Sequence, residues 1–294
     1  MNDNALWSHI GRHITSCGAS GQVQADAPPV VESVSGGDTS QAYRLQLGDT
    51  SYFVKLHNAN MLSMFEAEAF ALEKLQPFAP SCICTGEING AAYAAFPYVA
   101  MSQYGDEKQL GKVVAALHDD ARAHTLYGWY DDNFIGNSLQ QNSWQDDWAT
   151  FWWQQRLLPQ LEKSQEQGYD AVATSIDALA DTCHTLLRDH SPRPCLLHGD
   201  LWTGNKAYSD SGEALVFDPA SYYGDRECDI AMTEMFGGFS AAFYRTYYRS
   251  HPQRPGYLAR KRLYNLYHHL NHLNLFGDSY LNASLNHIAA LTEN

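Results

Sequence analysis

Three oxygen-bearing side chains stand close to short apolar runs: Asp200, Asn205 and Asp218. Leu196-Leu197 leads into His198-Gly199-Asp200, with Asn205 five residues beyond Asp200, and Val216-Phe217 ends in Asp218-Pro219. Phosphoryl transfer needs parts of this kind at this sort of spacing. One carboxylate, Asp200, would accept or orient the proton of an attacking hydroxyl. The Asn205 oxygen and the Asp218 carboxylate would hold Mg²⁺, a hard cation that takes oxygen ligands and bridges phosphates. Residues at strand ends are fixed more firmly than residues in flexible loops.

Upstream residues suit the same chemistry. In Ser35-Gly36-Gly37-Asp38, glycine lets backbone N–H groups approach a triphosphate closely, so Gly36, Gly37 and Asp38 are candidate phosphate-covering residues. A Gly-Gly pair by itself is equally an ordinary hairpin turn. Glu68 is the odd member of a stripe formed by Phe65, Leu72 and Leu75. A carboxylate on an apolar stripe needs a cationic partner or an outlet to solvent. Lys55, on a neighbouring strand, is the candidate partner, and it could also reach phosphate oxygens. Each piece is weak alone. A glycine turn, a strand lysine, a helix glutamate, His-x-Asp-x4-Asn and a strand-end Asp in this order rarely arise by chance.

The elements that must position these groups follow from periodicity. Leu6, Ile10 and Ile14 mark a first amphipathic helix. Strands are expected at 30–34, 42–47, 52–56, 83–88 and 91–99, and a helix over 61–76. Beyond Val99 the pattern is helical, near 106–124, 144–168, 171–189, 227–249 and 257–276. Only 195–197 and 214–217 interrupt it as strands. A sheet-rich first third followed by a helical remainder implies an α+β chain of two lobes joined near 97–102, with the ligand site expected in the cleft between them.

The chain's 294 residues suit one large domain or two modest lobes. With 33 acidic and 19 basic residues, its formal charge of −14 disfavours nucleic acid and anionic membrane as partners. The uncharged stretch 88–105 contains Asn89, Gly90, Pro97 and Gln103, so it is not a membrane span. Six cysteines show no disulfide framework. Cys82-x-Cys84 lacks a second pair, and buried thiols in a reducing compartment are preferred there to a metal site. With no signal-peptide pattern at the start, the expected location is the cytoplasm. No feature of the sequence sets an oligomeric state.

Further stretches complete a pattern: Tyr52-Phe53-Val54-Lys55, Phe65-Glu66-Ala67-Glu68-Ala69, Asn142-Ser143-Trp144-Gln145-Asp146-Asp147-Trp148, Leu197-His198-Gly199-Asp200-Leu201-Trp202-Thr203-Gly204-Asn205, Phe217-Asp218-Pro219-Ala220-Ser221-Tyr222-Tyr223-Gly224-Asp225 and Leu270-Asn271-His272-Leu273-Asn274. On these residues, spread over nearly the whole chain, the sequence resembles the fructosamine kinase (ketosamine 3-kinase) family. That family lies within the aminoglycoside-phosphotransferase-like, protein-kinase-like fold. The resemblance implies a bilobal α+β protein. Residues 1–97 would form a small antiparallel-sheet N-lobe with one helix, and residues 98–294 a larger, mainly helical C-lobe.

It further implies an ATP-dependent, Mg²⁺-using kinase of ketosamines, free or carried on a glycated protein, with the sugar 3-hydroxyl of ribulosamines or fructosamines as acceptor. Carried over by motif, Asp200 is the proton acceptor, Asn205 and Asp218 bind magnesium, and Lys55 contacts phosphate with Glu68 as its partner. Phe96-Pro97-Tyr98-Val99-Ala100 resembles the hinge that binds adenine through backbone groups. Pro97 departs from the acidic residue of many relatives and has no N–H to donate, so such contacts fall to Tyr98, Val99 and Ala100. Two alternatives stand beside this reading: a kinase of another hydroxyl compound, such as an aminoglycoside or amino alcohol, and a non-catalytic nucleotide-binding module.

Other residues divide between chemistry and packing. Trp202 is a candidate substrate contact, stacking on a sugar face or meeting a cationic amine, or else a ring that fixes its loop. Trp144, Trp148, Phe151 and Trp152 recur at three- and four-residue steps and are expected to form a helix packing face. Asp146-Asp147 suits a helix start. In kinase-like folds the acid corresponding to Asp229 braces the catalytic loop, so the resemblance implies that Asp229 supports the Asp200 loop. His268, His269 and His272 have spacing that could clamp a metal, but a packing role is preferred.

Overall fold

Strand periodicity puts Tyr52, Val54 and Leu56 on one side of a strand and Phe53 and Lys55 on the other. The computed structural model of the chain describes residues 3–18, 28–34, 40–119 and 124–292. It divides into two units, Met1–Tyr104 with Ala207–Phe217, and Gly105–Lys206 with Asp218–Asn294.

The first unit contains helix α1 (Asp3–Ser16), strands β1 (Val30–Val34), β2 (Gln41–Leu47) and β3 (Thr50–Asn58), helix α2 (Leu62–Lys74), and strands β4 (Cys84–Ile88), β5 (Ala91–Pro97) and β6 (Met101–Ser102). Five strands form one antiparallel sheet in the order β1-β2-β3-β5-β4. Tyr52, Val54 and Leu56 join Leu45 and Leu47 in a core closed by Trp7, Ile10 and Ile14 of α1. On the opposite face, Phe53 meets Phe96, with ring centroids 6.2 Å apart. Lys55 points the same way, toward Glu68 of α2. Phe65, Leu72 and Leu75 are buried, as the stripe requires.

The second unit opens with α3 (Glu107–His118), capped by Asp106, whose carboxylate accepts the Lys108 N–H at 2.9 Å. A hairpin of β7 (Asn133–Ile135) and β8 (Ser138–Gln140) follows. Next come α4 (Trp148–Trp152), α5 (Leu158–Glu166), α6 (Asp170–Ala173), α7 (Ile176–Leu187) and β9 (Cys195–Leu196). The chain then returns to the first unit, where strands β10 (Lys206–Ser209) and β11 (Ala214–Val216) form a small sheet with β6, in the order β11-β10-β6. Then β12 (Tyr223–Gly224) pairs with β9, and α8 (Glu227–Met235), α9 (Ala241–Ser250), α10 (Tyr257–Phe276) and α11 (Leu281–Thr292) complete the chain.

Three expected helices are interrupted, and the one expected over 171–189 divides at Thr174-Ser175 into α6 and α7. The helix expected over 227–249 is split into α8 and α9 by Gly237 and Gly238, both at positive φ (71° and 89°). Ser240 restarts it by accepting the Ala242 and Phe243 N–H groups. The helix expected over 144–168 contains a π-helical turn at Trp153–Leu157. This wider turn carries the fully buried Arg156, whose guanidinium lies 4.0 Å from the Tyr222 ring centroid and donates to Asn142 Oδ1 at 2.8 Å. Asp147 caps α4 by accepting from the Thr150 N–H and hydroxyl, both at 2.7 Å. Among the described residues, no helix is long and apolar enough to cross a membrane.

Candidate active site

In the second unit the apolar run Leu196-Leu197 is buried and anchored on the segment that follows Asp218. The Leu197 N–H donates to Tyr222 O at 3.0 Å and the Ala220 N–H to His198 O at 2.9 Å. Next to it, Gly199 has φ +83°, and a Cβ there would lie 2.0 Å from Ala220 O. Only glycine allows the chain to turn there. Asp229 of α8 accepts the backbone N–H groups of His198 and Gly199 at 2.8 and 2.9 Å, and its Oδ2 meets His118 Nε2 at 3.0 Å. Burial would raise the Asp229 pKa. The His118 hydrogen bond and charge, with the Gly199 N–H, outweigh it and hold the carboxyl below its ordinary value. The expected bracing role of Asp229 thus has a geometry. His118, which supplies the counter-charge, was not foreseen.

The loop so fixed delivers Asp200. Asn205 is buried, and its Nδ2 donates to Asp200 Oδ2 at 3.0 Å, to Asp200 O at 2.9 Å and to Asp218 O at 3.4 Å. The three candidate residues therefore converge within the second unit. Asp218 holds φ at +54°, a left-handed conformation unusual for a residue with a side chain. The Asp200 carboxyl is pushed up to about 7. Desolvation is the largest cause. The Asn205 hydrogen bond opposes it, and the nearby Asp218 and Asp229 charges reinforce it.

Trp202 is partly exposed, and its ring meets Phe236 edge-on at 6.0 Å. The ring also lies against Gly204, where a Cβ would come 2.2 Å from it. The indole therefore packs on its own loop while keeping an open edge. The adjoining Lys206 is buried and paired with Glu107 at 2.6 Å. The histidines of α10 do not converge: His268 is buried, the His269 ring meets that of His287 at 4.1 Å with a 39° tilt, and His272 Nδ1 bonds its own helix at His268 O.

Within the first unit, Lys55 Nζ meets Glu68 Oε1 at 2.6 Å, with both side chains nearly buried. Ala42 and Ala94 face Lys55 on the neighbouring strands, and its Nζ lies over the Phe96 ring, 5.6 Å from the centroid. Pro97 ends β5. The Tyr98 N–H is taken by Ser51 O at 3.2 Å, and the Arg44 guanidinium stacks 4.7 Å from the Tyr98 ring centroid. Among the backbone donors of the expected hinge, this leaves Val99 and Ala100. Gly36, Gly37 and Asp38 lie outside the described residues.

A second buried network was also missed. Asp225 accepts from Tyr264 at 2.8 Å and meets His190 at 2.6 Å, while Glu227 pairs with Arg260 through contacts of 2.7 and 3.0 Å.

The model of the family described as fructosamine kinase matches residues 7–294. The chain belongs to the fructosamine kinase family. Relatives within it include a probable ketoamine kinase of Synechocystis sp., 40% identical over 95% of both chains. A chloroplastic protein-ribulosamine 3-kinase of Arabidopsis thaliana is 35% identical over 87% of this chain and 80% of its own. A crystal structure from Haemophilus somnus, described as that of a "putative fructosamine-3-kinase", superposes with a TM-score of 0.85 at 28% identity and 96% coverage of both chains. As a fructosamine kinase, the chain is a phosphotransferase with an alcohol group as acceptor, and its α+β, protein-kinase-like fold is the one expected from the sequence.

Proposed function

We propose that this fructosamine kinase uses ATP and Mg²⁺ to phosphorylate a sugar hydroxyl, the 3-OH, of a ketosamine, with ribulosamines or fructosamines as the acceptor class and free or protein-bound adducts as carriers. The observation that carries the proposal is the contact between Asn205 Nδ2 and the Asp200 carboxylate, beside a conformationally constrained Asp218. The relatives' names supply the acceptor class.

In this reading Asp200 is the group that meets the acceptor hydroxyl. Its carboxylate orients the O–H and takes the proton as the oxygen attacks the γ-phosphorus. Asn205 holds the carboxylate through Nδ2, which turns Oδ1 toward the opposite side of the carboxamide. Asn205 Oδ1 and the Asp218 carboxylate are oxygen donors, a set that fits Mg²⁺ rather than a thiophilic metal. A left-handed Asp218 is the kind of local strain that functional sites retain. Bound there, Mg²⁺ would neutralise phosphate charge and orient the transferred group. Lys55, fixed by Glu68, contacts phosphate oxygens, and Gly36, Gly37 and Asp38 cover them. The Val99 and Ala100 backbone groups meet adenine beside Pro97 and Tyr98. Trp202 offers its open ring edge to the sugar or its amine.

The deciding experiment supplies ribulose-lysine and fructose-lysine adducts with ATP and Mg²⁺, and locates the new phosphate by NMR. Phosphate on the sugar 3-oxygen is expected. ATP consumption with aminoglycosides or amino alcohols, but with neither adduct, would overturn the acceptor class. ATP binding with no turnover on any acceptor would overturn catalysis.

A further inference from the structure

The sheet unit carries a cluster of metal-ligating side chains that phosphoryl transfer does not use. His13 and Cys17 lie four residues apart, on one face at the C-terminal end of α1, where the Cys17 N–H donates to His13 O at 3.0 Å. Cys84 opens β4, which α1 packs against within the same core. A ring nitrogen of His13 and the Sγ atoms of Cys17 and Cys84 all lie within 4.8 Å of one another. Cys82, the sequence neighbour, is not part of the cluster. Its thiol turns to the carbonyls of Cys84 and Ala95, both at 3.5 Å. The partners of Cys84 therefore come from the helix, which the Cys82-x-Cys84 spacing does not reveal.

The imidazole is held in place. The Tyr93 hydroxyl sits 2.6 Å from His13 Nδ1, and the two rings meet edge-on at 5.9 Å. That approach needs Gly86, where a Cβ would fall 2.6 Å from the Tyr93 oxygen. The contact fixes the orientation of the ring beside the two thiols. His13 and Tyr93 also line a surface cavity of about 460 Å³ shared with His9, Arg12 and Glu87, and Cys17 is exposed, so the cluster is open to solvent on that side.

We propose that His13, Cys17 and Cys84 form a Zn²⁺ site joining α1 to the edge strand β4. A Cys₂His set is borderline-soft and suits zinc rather than magnesium. Ideal tetrahedral bonds place the donor atoms about 3.5–3.8 Å apart, a span that small side-chain rotations reach from the observed cluster. Binding replaces the two thiol protons with the metal and releases them to solvent. Three protein ligands leave the fourth position to a solvent molecule entering from the cavity.

The test uses the full chain, reduced with a phosphine and stripped of metal, then titrated with Co²⁺ and Zn²⁺. Co²⁺ is expected to give a thiolate-to-metal charge-transfer absorption that saturates at one equivalent and is displaced by Zn²⁺. The oxygen donors Asp200, Asn205 and Asp218 produce no such band, so failure here is distinct from failure of the kinase reading. Cys17→Ser, at an exposed position, and His13→Gln should each weaken binding by at least about 10-fold, with circular dichroism unchanged. Cys82→Ser should bind as the parent does. Absence of the band in the reduced parent protein, or an unchanged band in Cys17→Ser, would overturn the site. So would recovery of Cys17 and Cys84 solely as a disulfide, with no metal bound after reduction.

Discussion

The Asp229 carboxylate holds the Gly199 amide at 2.9 Å, and through it the turn that no other residue type can make. The same carboxylate takes the His198 amide and faces His118. Replacing one oxygen by an NH₂ group sets a donor against donors at a buried site. Asp229→Asn is therefore expected to lower stability by about 2–4 kcal/mol, read by urea unfolding. Turnover should fall with it, because Asp200 directly follows the braced pair. A variant with parental stability would show that the turn holds without Asp229.

Asp200 is costly to the fold in the form catalysis needs. Its pKa is raised from 3.8 to about 7, so the unfolded chain ionises first. Between those values the unfolded state binds fewer protons, and the native state loses stability as pH rises. Asp200→Asn removes that burden. It should lower turnover by about 10²–10⁴-fold while raising the melting temperature at pH 8 more than at pH 4. An undiminished rate in this variant would remove Asp200 from the chemistry.

The same shift sets a pH profile. Desolvation is its main cause, with the Asp218 and Asp229 charges adding to it and the Asn205 bond opposing. Only the ionised carboxylate accepts a proton, so kcat/KM for the free enzyme should fall as pH drops below about 7. Asp218→Asn removes one of the like charges. Where residual activity can be followed, its acid limb should move to lower pH, and a limb that stays in place would assign the titration to another group.

Lys55 and Glu68 are paired at 2.6 Å in a nearly buried setting, so each is expected to act through the other. Lys55→Met and Glu68→Gln should each reduce kcat/KM for ATP. The double variant should be little worse than Lys55→Met alone, because once the lysine is gone its clamp has nothing to hold. Additive losses would mean that the two residues work independently.

This pair was legible in the sequence because a carboxylate on an apolar stripe raises a question that only a nearby cation answers. Asp147 was legible because acids favour helix starts, whereas the bracing role of Asp229 came only with the resemblance to kinase-like folds. Other features had no such signal. The three-residue strands of the β7–β8 hairpin are too short for a period to emerge. Helix α11 has polar Asn282, Asn286 and His287 between its apolar residues, which blurs its stripe. The break at Gly237-Gly238 lies between two stretches with helical patterns, and the periodicity of each flank spoke louder than the glycines. His118 carried no signal of its own, because its partner Asp229 is distant in the chain. Cys84 finds Cys17 and His13 only once α1 lies on the sheet.

Asp218 tests the metal assignment most directly. Its backbone sits at φ +54°, where asparagine is tolerated about as well as aspartate, so Asp218→Asn should keep the turn and remove only the charge. A neutral oxygen binds Mg²⁺ more weakly than a carboxylate. The variant should need at least about 10-fold more Mg²⁺ for half-maximal activity, with its melting temperature close to that of the parent. Mn²⁺, which is less demanding of anionic oxygen donors, should recover part of the loss. A metal titration identical to that of the parent, in a folded variant, would assign the cation to other ligands and leave Asp218 with a conformational role alone.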